Sequence, residues 1–197
     1  MKRLVTVSAL VSAVLITLSS VGVGSAATVS VARLRAESLS IGQVPAGWTA
    51  SVPRGDPRLG CLASLLEPKG VKETHRVQVF YLGRGDLPLF DETITTYSSA
   101  TSAYKKIAST IARCRSVAGD LGGYPVKGTV RRLSLSRYGN ASVAYSIVVV
   151  GKHVTVKADY LIVRKGSVIL GILEGNYPSV NLSQFLGLAA KAVAKIK

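Results

Sequence analysis

Apolar and polar residues recur along this chain at spacings that predict most of its elements. From about Ser99 to Arg115, Ala100, Ala103, Tyr104, Ile107, Ala108, Ile111 and Ala112 repeat at the i, i+3, i+4, i+7 spacing of one helical face. A second amphipathic helix is predicted over Leu182 to Ile196, with Leu182, Phe185, Leu186, Ala189, Val193 and Ile196 facing inward. Lys191, Lys195 and Lys197 lie in or just after its last turns and complement the helix dipole there. A shorter helix is predicted from Pro57 to Leu66. Pro57 suits a first helical position, Leu59, Leu62, Leu65 and Leu66 share a face, and Pro68 with Gly70 stop it.

Val77, Val79 and Tyr81 alternate with Arg76, Gln78 and Phe80, which predicts a strand; a turn at Gly83 to Asp86 leads into a second, Leu89 to Tyr97. Gly119, Gly122 and Gly123 end the long helix in a flexible turn. Four β-rich runs then form a meander: Val130 to Arg137, Ala141 to Val150, Val154 to Val163 and Val168 to Leu173. Gly151-Lys152 and Lys165-Gly166 are its hairpin candidates. In the third run Val154, Val156, Ala158, Tyr160 and Ile162 point one way, and His153, Thr155, Lys157 and Asp159 the other. That alternation predicts a sheet packed on one face and at least partly polar on the other. The expected fold is α+β: an antiparallel sheet of five to seven strands with two main helices packed on it.

The ends and the cysteines place the chain in a compartment. Lys2 and Arg3 precede an uncharged run from Leu4 to Val23 that exits through Gly24-Ser25-Ala26-Ala27, the pattern of a cleaved secretory signal peptide. Residues 1–27 are therefore expected to be a leader, 28–38 a loosely held lead-in, and 39–197 a single domain. Cys61 and Cys114 are the only cysteines. In an oxidising compartment they should form a disulfide, tying the long helix to the short one. Trp48, delivered by the Pro45-Ala46-Gly47 turn, is expected in the core.

Composition narrows the function. With 48% apolar and 18% charged residues the chain is too hydrophobic for a disordered protein. Its formal net charge of +15 comes from 25 Lys and Arg against 10 Asp and Glu, spread along the chain without a basic run or aromatic interleaving. Nucleic acid is thus not the expected partner; an unidentified small-molecule or anionic envelope ligand, or peripheral contact with an anionic cell surface, is, with colloidal solubility as the alternative reading of the charge. No metal-ligand cluster, phosphate-binding loop or nucleophile elbow occurs, so no cofactor and no catalytic residue is assigned. Two Arg-Gly-Asp tripeptides, at Arg54 and Arg84, fall at turns and read as turn chemistry. The candidate ligand-binding residues are His153, Lys157 and Asp159, a cation and a carboxylate on one strand face that can orient a small ligand.

Several local patterns add a resemblance. They are Val44-Pro45-Ala46-Gly47-Trp48, Cys61 with Leu65 and Leu66, and the alanine-rich helix ending Ile111-Ala112-Arg113-Cys114. Gly139-Asn140-Ala141-Ser142-Val143-Ala144-Tyr145, Tyr160 to Gly166 and the C-terminal helix follow in order. This series resembles actinobacterial secreted and lipid-anchored proteins related to the extracellular sensor domain of PknH-type serine/threonine kinases. The resemblance implies a disulfide-bearing α+β domain with a cleft for an extracellular ligand and no catalysis. It supplies no ligand-contact residues, and this chain carries one cysteine pair where related domains can carry two. The expectation is a secreted, non-enzymatic, sensor-like binding domain of the cell envelope. The alternatives are a secreted interaction or inhibitor module and, third, a small hydrolase.

Overall fold

The structure, a computed structural model, describes residues 29–52, 59–121, 123–152 and 155–197. The expected leader, Arg54-Gly55-Asp56, Pro57 and His153 lie outside them. Among the described residues there are eight strands, against the five to seven expected: β1 (Thr49–Ser51), β2 (Glu73–Leu82), β3 (Leu89–Tyr97), β4 (Ser116–Leu121), β5 (Tyr124–Leu133), β6 (Ala141–Gly151), β7 (Thr155–Lys165) and β8 (Val168–Asn176). Three α-helices accompany them among the same residues, the two main ones expected and a short third: α1 (Val31–Glu37), α2 (Ala100–Arg113) and α3 (Leu182–Lys195).

All strands pair antiparallel in one sheet, in the order β1-β2-β3-β8-β7-β6-β5-β4. The chain builds one edge with β1 to β3, crosses the sheet with α2, and lays down β4 to β8 from the far edge inward. The last strand, β8, then closes on β3 in register from Leu89↔Gly175 to Thr96↔Val168.

Both faces of the sheet are packed. On one, α1, α3 and the 38–48 segment cover Phe90, Ile94, Leu161, Val163, Leu170 and Ile172. On the other, α2 covers Tyr145, Ile147, Val149, Ile162 and Ile169 with its Ala103, Ile107 and Ile111. The second face is thus only partly polar, and it is packed further than the alternation of β7 suggests. The polar face of β7 holds only to Asp159; Leu161 and Val163, next on that face, are buried. A central strand with helices on both sides loses its alternation where both layers reach it.

Other departures have local causes. The segment expected to be a loose lead-in contains α1, capped by Ser30 Oγ accepting from Arg33 N–H, with Leu34 wholly buried. The helix expected from Pro57 to Leu66 is, among the described residues, only a 3-10 turn at Gly60–Leu62. Positive φ at Gly60 (53°) and Ser64 (56°) excludes a continuous α-helix. Gly119, read as helix-ending, lies instead in β4, paired with Val126. The buried face of α3 is rotated from the expected one: Leu188 and Ala192 are buried while Leu182 is exposed. Trp48 is half-buried, its ring 6.5 Å from that of Phe90.

The disulfide joins Cys61 and Cys114, with Cα atoms 5.8 Å apart and a sequence separation of 53. It tethers the end of α2 to the 3-10 turn, beside the Leu59–Gly119 bridge. On the loop-entropy model, replacing both cysteines by alanine should cost about 4 kcal/mol. Urea unfolding of the double variant against the oxidised chain reads this loss, and a midpoint that does not move would show that the tether constrains nothing.

Candidate functional site

The polar residues of β7 belong to a row across the sheet. Asp159 lies between Ser146 of β6 and Glu174 of β8. Arg131 of β5 is opposite Ser146, and Phe90 of β3 opposite Glu174. Side chains in register on one face stand close enough to interact, so this row is a continuous strip. One step further along β7, Lys157 lies between Val148 and Asn176. Only the inner half is roofed by α3: Phe90 and Glu174 are wholly buried, whereas Lys127, Thr129, Arg131, Val150 and Lys157 are exposed. The site is therefore an open strip of β5, β6 and β7 running up to a buried acidic end.

Burial sets the charge of that end. Glu174 Oε1 accepts from Gln184 Nε2 at 3.0 Å, while Oε2 has no partner among the described residues. Burial pushes its pKa up to about 7; the Gln184 hydrogen bond opposes this and the Asp159 charge adds to it. Asp159 is also raised, first by burial, with its hydrogen bond to Ser146 acting the other way. Two carboxyl groups side by side in a dry environment disfavour double ionisation. Because Glu174 has no exposed surface, the polar groups that the strip presents to solvent are Ser146, Lys157, Arg131 and the edge of Asp159, and Glu174 acts there only through the field it sets.

Of the three residues expected to bind ligand, His153 lies outside the described residues. Lys157 and Asp159 do share a face, but their environments differ: Lys157 is exposed and Asp159 is 8% exposed. They form no ion pair; among the described residues such pairs involve Arg33 and Arg76 only. Sequence reasoning missed Glu174 and Gln184. A carboxylate ending the apolar run Val168 to Leu173 was the available signal, and only cross-strand register joins it to Asp159.

A second buried carboxylate lies on the same face. Glu92 Oε2 accepts from the backbone N–H of Leu39 at 2.7 Å. Burial raises its pKa to about 7, against the Leu39 hydrogen bond and the nearby Lys195 charge. Lys195 itself donates to Ser38 O and, at 2.9 Å, to Gln43 Oε1. It thus fastens α3 to the segment after α1 as well as facing the helix dipole.

Two shallow grooves lie elsewhere. One of about 560 Å³ runs between the 63–69 turn and the outer side of α2, lined by Lys69, Lys105, Lys106 and Arg113 with Ser109 and Thr110. The other, about 230 Å³, separates Val44 and Pro45 from Gln184 and Lys191. Among the described residues no cluster of His, Cys, Asp and Glu could hold a metal ion, and no helix is long and apolar enough to cross a membrane.

No protein-family model matches this chain, and no curated protein sequence does. Solved structures do. The extracellular domain of PknH from Mycobacterium tuberculosis superposes with a TM-score of 0.63 at 14% identity, over 85% of this chain and 96% of that one. An uncharacterised Mycobacterium smegmatis protein, the Rv0999 ortholog, superposes with a TM-score of 0.51 at 13% identity, over 84% of this chain and 94% of that one. The chain therefore has the fold of the PknH extracellular domain, and the resemblance expected from sequence is met at that level.

Glu92 and Glu174 also make stability depend on pH. Their folded pKa values are about 7 against an ordinary 4.5. Between these values the folded chain holds protons that the unfolded chain has released. Stability should thus fall as pH rises from about 4.5 to about 7 and level off above, at up to ~1.4 kcal/mol per pH unit for each group. Denaturant unfolding across that range should show the slope, and Glu92→Gln with Glu174→Gln should remove most of it. An unchanged slope in that double variant would refute the assignment.

Proposed function

We propose that this chain is an exported, non-enzymatic, sensor-like domain of a bacterial cell envelope that binds an extended ligand along the open strip. The observation that carries this reading is the strip itself, within the fold of an extracellular domain. Exposed side chains of β5 and β7 with the half-buried Ser146 of β6 end at an acidic corner that α3 keeps dry. Lys157 and Arg131 supply donors with full charge, Ser146 and Asn176 supply neutral partners, and Asp159 accepts at the inner end. His153, near Lys157 in sequence, extends the same candidate set. The strip is open along its length, which suits a chain-like ligand laid across strands better than a small molecule that must be engulfed. The basic, apolar and small-residue regions of residues 1–27 support export, and a disulfide between the only two cysteines suits an oxidising compartment.

Envelope extract should test this reading directly. The mature chain, incubated with extract and washed, should retain a non-protein mass by native mass spectrometry. The Lys157→Ala, Asp159→Asn double variant should retain at least about tenfold less, the scale of one or two charge-assisted hydrogen bonds. Equal retention by the variant would remove the strip as the site, and a stoichiometric protein in place of the ligand would favour an interaction module.

A further inference from the structure

The larger of the two grooves lies against the outer side of α2, across the sheet from the strip. Its helical wall is polar at every turn: Lys105, Ser109 and Arg113 stand four residues apart, with Lys106 and Thr110 beside them. Residues at that spacing share one face of a helix, and the row from Lys105 to Arg113 is about 12 Å long. The facing wall is the 63–69 turn, which brings Lys69 to the same groove of about 560 Å³.

Both walls are fixed. The disulfide ties the residues leading into the turn to the end of α2. Leu65 is buried, and Leu66 O accepts from Arg76 Nη2 at 3.3 Å and from the Tyr97 hydroxyl. Lys106 Nζ donates to Lys69 O at 2.7 Å, which joins the two walls and uses one of its three hydrogens. Arg113 Nη1 donates to Ser109 Oγ at 2.5 Å, so the Ser109 hydroxyl hydrogen points elsewhere and can be donated. Glu67, the one carboxylate of the lining, faces Arg76 Nη2 at 3.7 Å. Lys69, Lys105, Lys106 and Arg113 form no ion pair among the described residues. Four cations thus share a preformed groove with a single carboxylate that is itself paired.

We propose that this groove binds a linear polymer joined by phosphodiester linkages, laid along α2 from Lys105 to Arg113. Cations on successive turns of the helix meet successive anionic linkages of such a chain. Three of the four are lysines, which act as point charges and do not need the planar fork that suits a carboxylate. Each linkage has two free oxygens, so one can take a cation while the other accepts from Ser109 or Thr110. The test of this site uses none of the strip's residues, so either reading can fail without the other.

A short poly(glycerol phosphate) chain, glycerophosphoglycerol as its single linkage, and polygalacturonate as a carboxylate chain are the probes. Calorimetry gives affinity, and the amide NMR signals of Ser109 and Thr110 report occupancy. The phosphodiester chain should bind and shift those signals. The logarithm of its affinity should fall with the logarithm of salt concentration at a slope of about −3, the value for four contacts to a single-stranded chain. Lys105→Gln with Arg113→Gln, both exposed and replaced by a good helix former, should weaken binding at least about tenfold and halve that slope. Arg35→Gln with Lys197→Gln removes the same charge from the α1 and α3 side of the sheet and should change affinity by less than about twofold. The single diester should bind at least about tenfold more weakly than the chain, because it reaches one turn of the row. Equal affinity for the single diester, or for polygalacturonate, would overturn the assignment of a phosphodiester chain. No binding of the chain, unmoved Ser109 and Thr110 signals, or an equal loss in the control pair would overturn the site itself.

Discussion

The seam between β3 and β8 is the constraint on which the rest of the structure depends. It joins the first three strands to the last five, and every element between them is a long excursion that must return for this pairing to form. The seam also buries two carboxyl groups on one face. Glu92 is opposite Ile172 and Glu174 opposite Phe90, so the two sit on adjacent rows of the sheet. Each receives a hydrogen bond from an element laid over the sheet: Leu39 N–H from the segment after α1, and Gln184 from the first turn of α3. Burying an acid without a partner is costly, so these contacts fix where the covering layer sits as well as compensating the burial.

The same burial shapes the electrostatics outside. Glu37, Glu92, Asp159 and Glu174 are four of the chain's ten acidic residues, and all are buried. The cations have no such refuge, because a long Lys or Arg side chain keeps its head in water even where its stem is covered. The exposed surface is therefore more cationic than composition alone states. A surface of that kind raises the local concentration of anions of every sort. Selectivity has to come from places where several cations are held in fixed geometry.

Much of the fold is legible in the residues. Leu89–Tyr97 and the bodies of α2 and α3 fall where the periodicities put them, because each has one strongly apolar face that packing against the sheet preserves. The cysteine pairing was legible because only one pair exists. The strand β4 was not, since Ser116 to Leu121 contains a glycine and little β-branched character; it is a strand because β5 is beside it. The 3-10 turn at Gly60–Leu62 reads as helix until the left-handed residues Gly60 and Ser64 are known. Half of the candidate site was legible as well: Lys157 and Asp159 on one face follow from alternation. Glu174 was not, because its strand lies next to β7 only through the register of a hairpin, and its burial depends on α3 from further along the chain.

Sequence by itself determined the local terms: period, turn chemistry, the export pattern, the single cysteine pairing and the excess of positive charge. These depend on residues within a few positions of one another or on simple counts. Tertiary structure alone decided which strands are central and which polar side chains are dry. It also decided which charges meet, because burial and electrostatic contact are set by residues distant in sequence. Asp159 shows the division. Its direction follows from the residues beside it in β7, whereas its raised pKa follows from β6, β8 and α3 closing around it.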